Sequence, residues 1–218
     1  MSYMVNLAVE GRLAVVIGGG QVAARKVQDL LAAGARVMVF APRACHRVVA
    51  LAEEKRIQLH FRPYTKADLA GAFVAVCATD DEEVNARVAG DAASMGVLVN
   101  VVDRPALCTF TVPATLSRGA LTLAVATEGR CPALAGILRE ELDRRYGEEY
   151  SALVDLFADL RKTMIGLAWD GGRIRQTLTD LYRNGAAGFI ARGERQPLHD
   201  FLRSRLGAAF PLPTQMTA

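Results

Sequence analysis

Apolar and polar positions follow two periods along the first hundred residues. Leu13 to Ile17, Arg36 to Phe40, Phe73 to Ala78 and Val97 to Val102 are short, nearly unbroken apolar runs rich in β-branched residues, and a shorter one lies near Ile57 to Phe61. Continuous runs of this length predict strands buried on both faces. Between them apolar residues recur at helical spacing. One set is Ala23, Val27, Leu30 and Leu31, closed near Gly34; a second is Val48, Val49, Leu51 and Ala52. A third helix is predicted over about Glu82 to Ser94, with Asp80 or Asp81 as N-cap and Gly96 as its stop. Asp68-Leu-Ala-Gly71 reads as a turn into the fourth strand. Alternating strands and helices predict an α/β fold, a doubly wound parallel sheet with helices on both faces.

After Asp103 the pattern changes. Phe110-Thr-Val-Pro113 reads as an extended piece broken by proline, and Ser117-Arg118-Gly119 as a turn. From Leu121 to Thr127, Leu121, Leu123 and Val125 alternate with Thr122, Ala124 and Ala126, which predicts a half-exposed strand. Pro132 suits the first turn of a helix reaching about Arg145, with Leu134, Ile137, Leu138 and Leu142 on one face. From Glu148 on, the chain reads as amphipathic helices broken at Asp170-Gly-Gly172 and Gly185, with a frayed tail from Phe210. The division this implies is 1–112, 113–147 and 148–218.

Composition narrows the classes. The 218 residues are 51% hydrophobic and 22% charged, the balance of a soluble globular protein rather than a disordered or fibrous one. No apolar stretch approaches the roughly 18 residues of a membrane span, and the start, Met-Ser-Tyr-Met-Val-Asn, lacks the pattern of a secretory signal. A net charge of +3 gives no argument for nucleic acid. Cys45, Cys77, Cys108 and Cys131 form no Cys-x-x-Cys pair, and His46, His60 and His199 are scattered, so no metal site is inferred. Free thiols fit a reducing cytoplasm.

The chemistry-bearing motif follows the first strand. Gly18, Gly20 and Ala23 fit the Gly-x-Gly-x-x-Gly/Ala fingerprint between a legible strand and a legible helix. The first glycine permits a tight turn, the second lets a pyrophosphate approach the backbone, and the small third residue lets helix and strand pack closely. The helix N-terminus then faces the phosphates. The sheet is therefore expected to be Rossmann-like. In such sheets ligands lie beyond the C-terminal ends of the strands, which selects Gly18–Val22, Ala41–Arg43, Thr79–Asp80 and Asn100–Arg104, with Gly18, Gly20, Gln21, Val22, Pro42, Arg43, Thr79, Asp80 and Asn100 as the cofactor-binding candidates. Thr79 and Asp80 equally suit helix capping, and Asn100 an ordinary strand end. Strand two ends in Phe40-Ala41-Pro42-Arg43, without the acidic residue that binds a ribose 2′-hydroxyl; Arg43 could instead face a 2′-phosphate.

Six motifs occur in order: Gly18 to Lys26; Ala78-Thr-Asp-Asp81 with Asn85; Asn100-Val-Val-Asp103-Arg-Pro105; Phe110 with Pro113-Ala114; Arg118-Gly119; and Pro132-Ala-Leu-Ala135. Over about residues 3 to 147 the chain resembles the precorrin-2 dehydrogenase / sirohydrochlorin ferrochelatase family (siroheme synthase N-terminal-like). The resemblance implies an NAD-binding Rossmann domain, a small α+β dimerisation segment over 113–147, a C-terminal helical segment and a homodimer. It implies NAD-dependent oxidation of precorrin-2 to sirohydrochlorin, and in some members insertion of ferrous iron. NAD is the expected cofactor, with NADP left open. Asp103 matches the family's catalytic aspartate, and partial burial there would raise its pKa toward proton transfer. The substrate is a polycarboxylate, so Arg104, Arg118 and Arg130 are candidate partners. Ala126-Thr-Glu-Gly-Arg-Cys131-Pro departs from the commoner Ser-Thr-Gly-Gly-x-Ser-Pro, and Gly136 replaces a frequent arginine; these changes bear on iron insertion more than on oxidation. Cys131 reads as a small helix-start residue. The alternative is a non-catalytic Rossmann module that senses NAD(H) or a tetrapyrrole.

Overall fold

A computed structural model describes residues 3–213. The chain divides between Val112 and Pro113 into two compact units. The first holds strands β1 (Leu13–Ile17), β2 (Arg36–Phe40), β3 (Ile57–His60), β4 (Val74–Cys77) and β5 (Leu98–Val101), with helices α1 (Gln21–Ala32), α2 (His46–Glu53) and α3 (Glu82–Met95). The strands form one sheet in the order β3-β2-β1-β4-β5, every neighbouring pair parallel. The chain runs outward from β1 on one side and returns to its other side at β4, so the topological switch lies between β1 and β4.

Strand alternation explains the two cores. Ala14 and Val16 face a cluster with Ala23, Ala24, Val27, Val39 and Val48, which seats α1 and α2. Val15 and Ile17 face the opposite cluster with Leu69, Cys77, Val88 and Ala92, which seats α3. Because both faces are covered, the strands carry unbroken apolar runs. Each buried valine or leucine here is worth about 1.5–3 kcal/mol relative to exposure. The third helix starts at Asp81 rather than Asp80: the Asp81 carboxylate accepts from the backbone N–H groups of Glu83 and Val84, both at 3.0 Å. Gly96 ends that helix in the left-handed conformation at φ +68°. The turn before β4 is a short 3-10 segment, Lys66–Leu69, held by a Thr65–Asp68 capping box.

The second unit opens with an antiparallel hairpin, β6 (Ala114–Arg118) and β7 (Leu121–Val125), followed by α4 (Pro132–Arg145), α5 (Glu149–Gly166), α6 (Gly171–Arg183), α7 (Ala186–Ala191) and α8 (Arg195–Leu206). The strand β6 corrects the expected turn at Ser117-Arg118-Gly119. Ser117 and Arg118 are strand residues, and the turn is Gly119-Ala120, with Gly119 at φ +55°. Only Leu116 is buried along β6, so its own pattern is too weak to announce a strand; pairing with β7 creates it. On α4 only Ala135 is buried, whereas Leu134, Ile137 and Leu138 are exposed. Helices α5 to α8 close around Leu156, Leu160, Met164, Leu181, Leu198 and Leu202. Phe210 is buried with them, its ring edge-on to Trp169, so the first residue of the tail is anchored where fraying was expected. Residues 214–218 of that tail lie outside the described residues. Among the described residues no helix is long and apolar enough to cross a membrane.

Candidate functional site

The glycine loop begins where β1 ends. Gly18 has φ +116°, a conformation that L side chains rarely adopt, and a Cβ there would overlap the Ala78 carbonyl at the end of β4. Its N–H donates to the Phe40 carbonyl at 3.0 Å, which ties the loop to the end of β2. Gly19, which the fingerprint leaves unspecified, is equally constrained: a Cβ there would collide with the Arg43 carbonyl. The Cys45 N–H donates to the Gly19 carbonyl at 2.7 Å, so the β2–α2 turn is stapled onto the loop. Gly20 is different. It is the N-cap of α1, and a Cβ there would meet nothing within 4 Å. No side chain caps α1, and Gln21 and Val22 are exposed in its first turn. Pressed-in Gly18 and Gly19, an unobstructed Gly20 and an uncapped helix end fit a bound pyrophosphate.

Across the switch point, the Thr79 hydroxyl accepts from the Asp81 N–H at 3.0 Å, and the Thr79 carbonyl accepts from the Asn85 side-chain amide at 3.0 Å. Asn85 is buried and its Oδ1 lies 2.9 Å from the Cys77 sulfur. Burial pushes the Cys77 thiol up to about 12, so it stays a neutral donor. This buried amide fixes the backbone that turns Thr79 and exposed Asp80 toward the strand ends. Pro42 and Arg43 are likewise exposed beyond β2.

Beyond β5 the chain turns sharply. The Arg104 N–H donates to the Val101 carbonyl at 3.2 Å, and Asp103 inside this turn has φ +60°. Aspartate tolerates this left-handed region better than most residues, yet non-glycine residues seldom occupy it. Asp103 is exposed, so the partial burial expected of it is absent. Sequence reasoning did not find the residue that braces the turn. The Cys108 sulfur lies 3.2 Å from both the N–H and the carbonyl of Val101, and 3.4 Å from the Arg104 carbonyl. Asn100 is buried and donates to the Phe110 carbonyl at 3.1 Å, which ties β5 to the chain that follows the turn.

The structure therefore gathers the loops bearing Gly18 to Val22, Pro42 and Arg43, Thr79 and Asp80, and Asp103 and Arg104 at the C-terminal ends of one sheet. Arg104 ion-pairs with Glu82, and both side chains are exposed. Arg118 and Arg130 belong to the second unit. Arg118 departs from expectation as a substrate arginine. Its side chain is only 13% exposed and donates to the Tyr146 carbonyl at 3.0 Å, the Ser117 carbonyl at 3.1 Å and the Asp143 carboxylate. It braces the hairpin against α4. Arg130 is exposed in the turn between β7 and α4.

Residues 5–114 match the family model described as "Putative NAD(P)-binding". The chain is 36% identical over 203 residues to a siroheme synthase of Ectopseudomonas mendocina (strain ymp), covering 93% of this chain and 44% of that protein. It is 40% identical over 153 residues to a siroheme synthase of Pseudomonas putida (strain W619), covering 70% of this chain and 33% of that protein. The chain thus spans less than half the length of these curated relatives. The solved structure of "SirC, precorrin-2 dehydrogenase" superposes with a TM-score of 0.73 at 25% identity, covering 94% of this chain and 98% of that one. With a dinucleotide loop in place and similarity along nearly its whole length, the chain belongs to the precorrin-2 dehydrogenase / sirohydrochlorin ferrochelatase family, and its cofactor is a nicotinamide dinucleotide.

Proposed function

We propose that this chain oxidises precorrin-2 to sirohydrochlorin. The observation that carries the reading is Asp103, a carboxylate held in left-handed backbone just beyond the C-terminal end of β5, the strand next to β4. Such strain persists where the surrounding structure enforces it, and it concentrates at functional sites. The reaction removes a hydride and a proton from the macrocycle. Bound NAD supplies the hydride-accepting ring. Asp103 accepts the proton: its exposed carboxylate is presented to a ligand lying over the strand ends, and the ligand itself then excludes water from it. The glycine loop and the Thr79 backbone hold the dinucleotide in register with that carboxylate. Arg104 engages a peripheral carboxylate of the substrate; the exposed Arg104–Glu82 pair is readily exchanged for a substrate carboxylate.

The working form is a homodimer in the cytoplasm. The exposed apolar face of α4 supports self-association, and four unpaired cysteines suit a reducing compartment.

An anaerobic spectroscopic assay with precorrin-2 tests the activity. Sirohydrochlorin should form only with the dinucleotide present, and Asp103→Asn should slow it at least about 100-fold while retaining dinucleotide binding. A folded protein that gives no dinucleotide-dependent change overturns the dehydrogenase and leaves the sensing module. Ferrous iron added afterwards reads metal insertion against a protein-free control.

A further inference from the structure

The strand that leads to Asp103 is the last of its sheet, so one edge of β5 has no neighbouring strand. Residues along a strand turn their N–H and carbonyl groups to alternate sides. Leu98 and Val102 donate toward β4, to the Phe73 and Cys77 carbonyls, which leaves the groups of Val99 and Val101 on the open edge. Such a row of unpaired backbone groups is usually covered by another element or blunted.

Two consecutive side chains cover it here. The Thr109 hydroxyl accepts from the Val99 N–H at 2.7 Å and donates to the Val99 carbonyl at 3.3 Å. The Thr109 backbone N–H also donates to that carbonyl, at 2.9 Å. The Cys108 thiol repeats the pattern two residues along the strand: its sulfur accepts from the Val101 N–H, and its S–H points at the Val101 carbonyl, each at 3.2 Å.

The register ties this edge to the reacting group. A carbonyl oxygen has two lone pairs, and the Val101 carbonyl also accepts from the Arg104 N–H, the bond that closes the turn around Asp103. The sulfur lies 3.4 Å from the Arg104 carbonyl as well, so it touches both ends of that turn. Asp103 is the third of its four residues, at φ +60°, a position and conformation that favour glycine or asparagine. Without the clasp, nothing at this edge opposes relaxation of the turn toward backbone that aspartate prefers, and that relaxation moves the carboxylate.

We infer that Cys108 and Thr109 form a side-chain clasp that positions the Asp103 carboxylate for proton transfer, with Cys108 as the positioning residue and Thr109 as its anchor on β5. This rests on the reading of Asp103 as the proton acceptor. The clasp grips the outer edge of β5, and β4 stands between β5 and the strand that bears the glycine loop, so dinucleotide binding does not depend on it.

Turnover of precorrin-2 by the full chain tests this, measured alongside NAD+ affinity by calorimetric titration and the thermal midpoint. Cys108→Ala should lower kcat at least about tenfold, since small misplacements of a reacting group are costly, with KM and NAD+ affinity unchanged within about twofold. Cys108→Ser should recover most of the lost kcat, because a hydroxyl donates and accepts as the thiol does. The decisive comparison repeats Cys108→Ala in an Asp103→Asn background. A residue that acts through Asp103 has nothing left to position there, so the further loss should be less than about twofold. Thr109→Val should show the same non-additivity to a smaller degree, and it carries the test if Cys108→Ala does not fold. Equal fractional losses in both backgrounds, or wild-type kcat in the folded clasp variants, overturn the inference and leave the Asp103 reading standing. An Asp103→Asn variant as fast as wild type overturns both.

Discussion

The two compact units treat their apolar residues differently. In the first, the sheet strands are sealed on both faces, and Val15, Val16, Val27, Val39, Val48 and Val74 are fully buried. In the second, the helices from α5 onward close a core of their own, yet the hairpin and α4 leave theirs open: Leu134, Ile137 and Leu138 are 45%, 54% and 36% exposed. The same helical spacing that seats α1 against a sheet gives α4 an apolar face with little of this chain beneath it. Apolar periodicity thus identifies a face that seeks cover without saying which surface provides it. The contrast puts a sealed, rigid frame under the glycine loop in the first unit and an uncovered apolar face in the second.

The sharpest test of the sealed unit is Gly18→Ala. Positive φ and overlap with the Ala78 carbonyl together should cost about 3 kcal/mol or more, read as a large fall in the denaturation midpoint. Gly20→Ala is its counterpart. An N-cap glycine loses only up to about 1 kcal/mol on replacement, but a Cβ in the path of the pyrophosphate should weaken dinucleotide binding at least tenfold. Equal destabilisation by the two variants would contradict the division of labour between these glycines. Next in size is Asn85→Leu, which strands the Thr79 carbonyl and the Cys77 thiol. About 2 kcal/mol of stability should be lost, with weaker dinucleotide binding, and an unchanged midpoint would show the amide to be dispensable.

Paired Leu134→Asp and Ile137→Asp changes act on the open unit. They should leave the folded protein's far-ultraviolet spectrum unchanged and convert a dimer to a monomer in sedimentation equilibrium; a dimer that persists would place the interface elsewhere. The smallest effect concerns acid. Desolvation raises the Asp68 pKa, but hydrogen bonds from Arg62 and from Thr65 together outweigh it, so the carboxyl sits below its ordinary value. Folded Asp68 therefore binds fewer protons than the unfolded chain near pH 4. Its contribution is present above the ordinary carboxylate pKa of about 3.9 and is lost as pH falls through the lower folded value. Wild type should lose stability more steeply than Asp68→Asn below that pH. Parallel curves would remove Asp68 from the acid response.

Much of the first unit was legible because its signals are local. Continuous β-branched runs mark strands covered on both sides, and glycines mark the turn and helix end between them. The second unit was less legible for the reason its surface is open. Along β6 the single buried residue Leu116 carries no period, and α4 shows an apolar stripe whose partner is not adjacent in sequence. Arg118 looked like a ligand for carboxylates because charge is local information, whereas its acceptors at Tyr146 and Asp143 lie more than twenty residues away.

The sequence by itself determined the sheet's strands, the bounds of α3 and α4 to within about a residue, the glycine loop and the position of Asp103 at the end of β5. These follow from backbone preference and burial period, which neighbouring residues settle among themselves. Tertiary structure alone decided that Gly19 is as constrained as Gly18, that Asp103 is exposed in a left-handed turn braced by Cys108, that Asn85 holds the Thr79 backbone and that Phe210 is anchored. Each of those depends on a close approach between chain segments separated by at least several residues, and the steric and hydrogen-bonding terms that fix them exist only once the sheet and the helical core have formed.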